Sequence, residues 1–125
     1  MTKNILKEIV IILSDKSQSR GIFAALKEYH DDVIIFNNPI KAIEYLKYNP
    51  CNIAITETDF TLIDGLSFFN ELVENSYTSN IILMQTIPNL LVPNTAGNSN
   101  VFSIQKPIKI NNLLEIINTI HKEEL

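Results

Sequence analysis

The sequence predicts an α/β domain built on a doubly wound, five-stranded parallel sheet with helices on both faces. Three observations point there. Short β-branched apolar runs alternate with amphipathic segments from one end of the chain to the other, the pattern of repeated strand–helix–strand units. Those runs are apolar at nearly every position, as in strands covered on both faces. The chain has 125 residues, of which 46% are hydrophobic, enough for one ordinary domain with its own core. No repeat, linker or shift in composition divides it, so residues 1–125 are expected to form a single domain.

Each element follows from its local pattern. Residues 8–13 (EIVIIL) read as the first strand. Residues 17–29 repeat at helical spacing, with Ile22, Leu26 and Tyr29 on one face and Phe23 beside them. Val33–Phe36 (VIIF) is the second strand. Asn38 and Pro39 start the second helix as a cap residue followed by proline at the first helical position. Ile43 and Leu46 then carry its apolar stripe to Tyr48. Residues 52–56 (NIAIT) are the third strand. Residues 65–75 form a helix with Leu66, Phe69, Leu72 and Val73 inward and Phe68 at the edge of the stripe. Residues 80–84 (NIILM) and 101–104 (VFSI) are the fourth and fifth strands. Residues 110–122 close the chain, with Leu113, Leu114, Ile117 and Ile120 buried.

Residues 87–100 break the alternation. They hold Pro88, Pro93, Gly97 and four asparagines, so no full helix is expected between the fourth and fifth strands. At most residues 89–92 make one turn, and the fourth helix is short or missing. The remainder is expected to be an exposed loop.

Composition excludes several functions. The net charge is −4, with one arginine and nine scattered lysines, which argues against a nucleic-acid surface. A single cysteine allows no internal disulfide and no cysteine-built zinc site. The apolar run 9–13 is too short to span a membrane and lacks a cleavage site, so a cytoplasmic protein is expected. Cys51 reads as a small semi-buried residue. His30 and His121 fall at the ends of different helices, with no metal-ligand pattern around either.

In an open parallel sheet, ligands bind beyond the carboxyl ends of the strands. The residues there are Ser14 and Asp15, residues 57–59, Gln85 and Thr86, and Lys106. With Asp64-Gly65 opening the third helix and Pro107 after Lys106, this set resembles the receiver domain of two-component response regulators. The resemblance covers essentially the whole chain. It implies the flavodoxin-like strand order 2-1-3-4-5, a bacterial phosphorelay setting and no catalytic activity of its own.

The resemblance also implies a chemistry. Two acids after the first strand and an aspartate after the third hold Mg²⁺, and that aspartate accepts a phosphoryl group. The metal and a lysine neutralise the transferring oxygens. A hydroxyl residue after the fourth strand and an aromatic residue on the fifth then relay the change.

This chain departs from that pattern where it matters. The phosphoacceptor position is Glu57, eight residues before Gly65. Its extra carbon advances the carboxylate by roughly 1.5 Å, and a misplacement of about 1 Å can cost on the order of 100-fold in rate. The first member of the acidic pair is Ser14, which is neutral. The aromatic switch position is Ser103, and Phe102 beside it should point to the opposite face of the sheet. Asp15, Thr86, Lys106 and Pro107 are retained, and the family geometry implies a cis Lys106–Pro107 bond. Asp59 adds a carboxylate where the family usually supplies a backbone carbonyl, so Asp15 and Asp59 imply a weak or absent Mg²⁺ site and no other cofactor.

The set therefore reads as a degenerate pocket. Glu57 either mimics a phosphorylated state by reaching toward Thr86 or Lys106, or forms a permanent ion pair with Lys106. The leading expectation is a pseudo-receiver acting through protein contacts with a histidine kinase, an output domain or another signalling protein. The alternative is a working receiver with Mg²⁺ and Asp59 or Glu57 as acceptor. A third class is a small-molecule binder. Its only support is the serine-rich stretch 14–21 (SDKSQSRG), which lacks the glycine spacing of a phosphate loop. The short fourth helix disfavours the family's usual dimer face and leaves the first and last helices as partner surfaces. Neither nucleic acid nor membrane is expected as a partner, and a homodimer is left open.

Overall fold

Buried isoleucine and valine runs pair edge to edge to make the centre of the molecule. The structure is a computed structural model that describes residues 7–57, 65–86 and 95–124. In chain order its elements are β1 (Ile9–Ile12), α1 (Lys16–Lys27), β2 (Val33–Phe36), α2 (Pro39–Leu46), β3 (Cys51–Glu57), α3 (Gly65–Glu74), β4 (Thr78–Gln85), β5 (Thr95–Ala96), β6 (Ser99–Gln105) and α4 (Ile110–Glu123). The sheet order is β2-β1-β3-β4-β6-β5. The first five of these are parallel, and they reproduce the order expected from sequence.

Alternation along each strand divides the core into two layers. Ile9, Ile11, Ile53, Ile55, Ile82, Met84 and Ile104 face Ile22 and Leu26 of α1 and Leu113, Ile117 and Ile120 of α4. Val10, Ile12, Ala54 and Ile81 face Ala42 and Leu46 of α2 and Phe68 and Leu72 of α3. All four residues of β1 and all seven of β3 are buried, which is why those runs carry no polar alternation. Fully burying one such side chain stabilises by roughly 1.5–3 kcal/mol.

Local chemistry sets the helix ends. Asp15 caps α1, its carboxylate accepting from the Gln18 amide at 2.9 Å. Asn38 caps α2, accepting from the Ile40 and Lys41 amides with Pro39 just inside. Each satisfies amides that have no partner within the helix.

Several expectations need correction. Tyr29 and Tyr48 are 67% and 85% exposed, because α1 stops at Lys27 and α2 at Leu46, before either ring can join the stripe. Phe68, not Phe69, is the buried member of its pair. It lies one turn from Leu72, so the two share the face turned to the sheet. Cys51 is fully buried, not semi-buried.

The loop expected over 87–100 also contains structure. Thr95 and Ala96 pair antiparallel with Asn100 and Ser99, adding a sixth, short strand through a two-residue turn at Gly97 and Asn98. Gly97 has φ of 58°, and a Cβ there would stand 2.9 Å from Val73 Cγ1, so both backbone and space call for glycine. The single turn expected at 89–92 lies outside the described residues. No helix among the described residues is long and apolar enough to cross a membrane.

Candidate functional site

The carboxyl ends of β1, β3, β4 and β6 converge at one end of the sheet. Register places Ile12 beside Thr56, Glu57 beside Met84 and Gln85 beside Gln105. Strand alternation decides which side chains meet. Glu57 continues the series Ile53, Ile55, and Lys106 continues Phe102, Ile104, and both series lie on the face covered by α1 and α4. β3 and β6 flank β4, so their axes are roughly 10 Å apart. Two long side chains are needed to bridge that gap, and glutamate and lysine supply them.

Glu57 is the centre of the site. It is 3% exposed, and both carboxylate oxygens are used. Oε1 accepts from Lys106 Nζ at 2.8 Å. Oε2 accepts from the Ser14 amide at 2.7 Å and from the Ser14 hydroxyl at 3.0 Å. The loop holding Ser14 is itself anchored. Asn37 donates to the Leu13 carbonyl at 2.7 Å and to Ser19 Oγ at 3.0 Å, and the Ser19 hydroxyl donates to the Asp15 carbonyl at 2.8 Å. The backbone that presents the Ser14 amide is thus held from both sides.

Ser14, Glu57 and Lys106 therefore come together as one unit. Asp15 is exposed and its carboxylate serves as the α1 cap. Thr86 follows β4 and is exposed. Lys106 enters the site directly after β6, its amide bonding the Gln85 carbonyl at 2.8 Å, and the Lys106–Pro107 bond is cis. Asp59 lies outside the described residues.

The sequence reading missed two features. It treated Ser14 as a lost metal ligand, whereas its amide and hydroxyl are donors to Glu57. It also gave Gln85 no role. Gln85 is buried at the end of β4 and accepts from the Ser103 hydroxyl at 2.8 Å, while its Nε2 finds no hydrogen-bond partner among the described residues. Ser103 and Gln85 thus form a polar pair between neighbouring strands β4 and β6. Phe102 packs on the other face, as alternation requires.

The two described carboxylates of the site are both engaged within the fold. Glu57 has both oxygens engaged by donors, and Asp15 is spent on a helix cap. Among the described residues no group of three or more His, Cys, Asp or Glu is arranged to hold a metal.

A parallel sheet of this order with helices on both faces places the molecule in the flavodoxin-like class. More narrowly, the fold is that of response-regulator receiver domains. The chain is similar to a CheY-like response regulator receiver domain protein from Methanospirillum hungatei JF-1, with a TM-score of 0.77, 18% identity, and 96% of this chain and 98% of that chain covered. It is similar to the receiver domain of response regulator 1452 from Francisella, with a TM-score of 0.77, 16% identity and 95% and 99% coverage. It is also similar to the signal receiver domain of an HD domain-containing protein from Pseudomonas fluorescens Pf-5, with a TM-score of 0.80, 15% identity and 95% and 97% coverage. No protein-family profile and no characterised protein matches the chain by sequence.

Proposed function

We propose that this domain is a pseudo-receiver: a bacterial, cytoplasmic two-component signalling module that works by protein contact and does not take up phosphate. One observation carries this reading. The carboxylate at the acceptor position is buried and already bonded to Lys106 and Ser14. A nucleophile that is 3% exposed and held by three donors must give up bonds within the fold to reach an incoming phosphoryl group. The lysine that would neutralise the transferred oxygens is spent on an internal charge. Magnesium is not needed for this state, since Lys106 already balances the Glu57 charge. The partner is a protein of a phosphorelay, met through exposed helix faces, and the domain catalyses nothing by itself.

The test is incubation with Mg²⁺ and acetyl phosphate, followed by intact-mass measurement, with a phosphorylation-competent receiver as control. The mass is expected to stay unchanged while the control gains a phosphoryl group. A gain that disappears in Asp59→Ala or Glu57→Gln overturns the proposal in favour of a working receiver.

A further inference from the structure

The amino end of the sheet carries a second polar cluster, remote from Glu57. The chain contains two histidines, and folding brings them together: the rings of His30 and His121 meet edge to face with centroids 5.3 Å apart. His30 follows α1, where its amide bonds the Leu26 carbonyl at 2.9 Å. His121 sits in the last turn of α4.

Behind His121 a run of side chains crosses the starts of three strands. Its Nε2 lies 3.2 Å from Asn52 Oδ1. Asn52 Nδ2 donates to Glu124 Oε2 at 2.7 Å. Asn80 donates to the same oxygen at 3.3 Å and to the Asn52 carbonyl at 3.0 Å, and Asn100 donates to Asn80 Oδ1 at 3.1 Å. An ionised Glu124 only accepts, so it turns the nitrogen of Asn52 toward itself and the oxygen toward His121. With that oxygen turned toward it, His121 donates to Asn52 through Nε2–H.

We propose that His30 and His121 form a pH-sensitive clasp between the end of α1 and the end of α4, closed while the pair is uncharged and loosened when both rings are protonated. A second proton places two like charges side by side in a half-buried contact, which repel and lose hydration. The charged groups that act on this cluster are Asp31 beside His30, Lys27 on the Asp31 carbonyl, and Glu124, which holds Asn52 behind His121. Asp31 favours a charge on His30, but burial and then His121 outweigh it and hold the His30 pKa below the usual 6.5. The Lys27 ammonium, bonded to the Asp31 carbonyl at 2.8 Å, adds a positive charge to the same turn. The chemistry that two facing imidazoles offer is proton uptake.

The sign follows from linkage. With the folded pKa of His30 below its unfolded value, the unfolded chain binds more protons in the interval between the two. Stability is complete above about 6.5 and falls as pH drops below it. The helix that His30 follows begins just after Ser14 at the other end of the molecule, so loosening the clasp releases only the far ends of the two helices expected to face partners, whose bodies stay packed on the sheet.

The experiment follows the ring C–H resonances of the two histidines by NMR and the melting temperature between pH 7.5 and 5.5, in the native chain, His30→Gln and His121→Gln. His30 is expected to titrate below 6.5 in the native chain and to move upward in His121→Gln. The native melting temperature is expected to fall by a few degrees on acidification, and each variant to flatten that fall. The proposal is overturned if His30 titrates at or above the free-imidazole value, if it ignores His121→Gln, or if His30→Gln melts with an unaltered pH dependence. The resonance measurements on the native chain stand even if a variant does not fold.

Discussion

At residue scale the decisive feature is that Glu57 is satisfied within the fold. Removing Lys106 would strand a carboxylate that is 3% exposed. Stranding a buried charge typically costs about 3–5 kcal/mol, and the Ser14 donors offset part of this, so Lys106→Met is expected to cost about 3 kcal/mol. Glu57→Gln should cost less, about 1 kcal/mol, because the Lys106 side chain is 20% exposed and can be hydrated. The double variant should recover most of the loss, and urea denaturation of all four proteins measures the coupling. The Glu57–Lys106 pairing was one of two arrangements left open by the sequence, because strand-end position gathers these residues at one crevice without deciding which partner Glu57 takes. The role of Ser14 was not legible there. Its donors reach Glu57 only because Asn37, 23 residues away in sequence, pins the loop.

At element scale, legibility tracks how far a pattern depends on its neighbours. Strands buried on both faces announce themselves by continuous apolar runs, and the second helix by Asn38-Pro39, whereas the Asp15 cap of α1 shows only in the structure. Choosing between Phe68 and Phe69 requires the angle at which α3 meets the sheet, which 3.6-residue spacing leaves uncertain by about one position. The β5–β6 hairpin was hidden for another reason. Its strands are too short and polar to show alternation, and only Gly97-Asn98, a recognised two-residue turn pair, marks it. Gly97→Ala is expected to lower stability by more than 1 kcal/mol, since it forces a side chain into positive φ and against Val73. A thermal melt measures this, and an unchanged melting temperature would mean that α3 and the turn do not touch.

At the scale of the whole molecule, one sheet with a packed layer on each side makes the centre inaccessible without general opening. Cys51 reports on this directly. It is fully buried at the start of β3, and burial pushes its thiol up to about 12. Both effects suppress the thiolate that reacts. Labelling by iodoacetamide at pH 8 is therefore expected to be at least about 100-fold slower than in urea-unfolded chain and to track global unfolding. Rapid labelling of the native protein would reveal a partial opening at that edge of the core.

The acceptor that Glu124 offers to Asn52 and Asn80 has a practical corollary. Both amides are 2% exposed, and each sends an Nδ2–H to a carboxylate three residues past His121. A protease that trims the tail before that residue would remove the acceptor both amides share, leaving Asn80 only its bond to the Asn52 carbonyl and the Asn52 amide nitrogen without its carboxylate. The shortened product would then be a poor stand-in for the intact chain, although every strand and nearly all of the last helix would survive the cut.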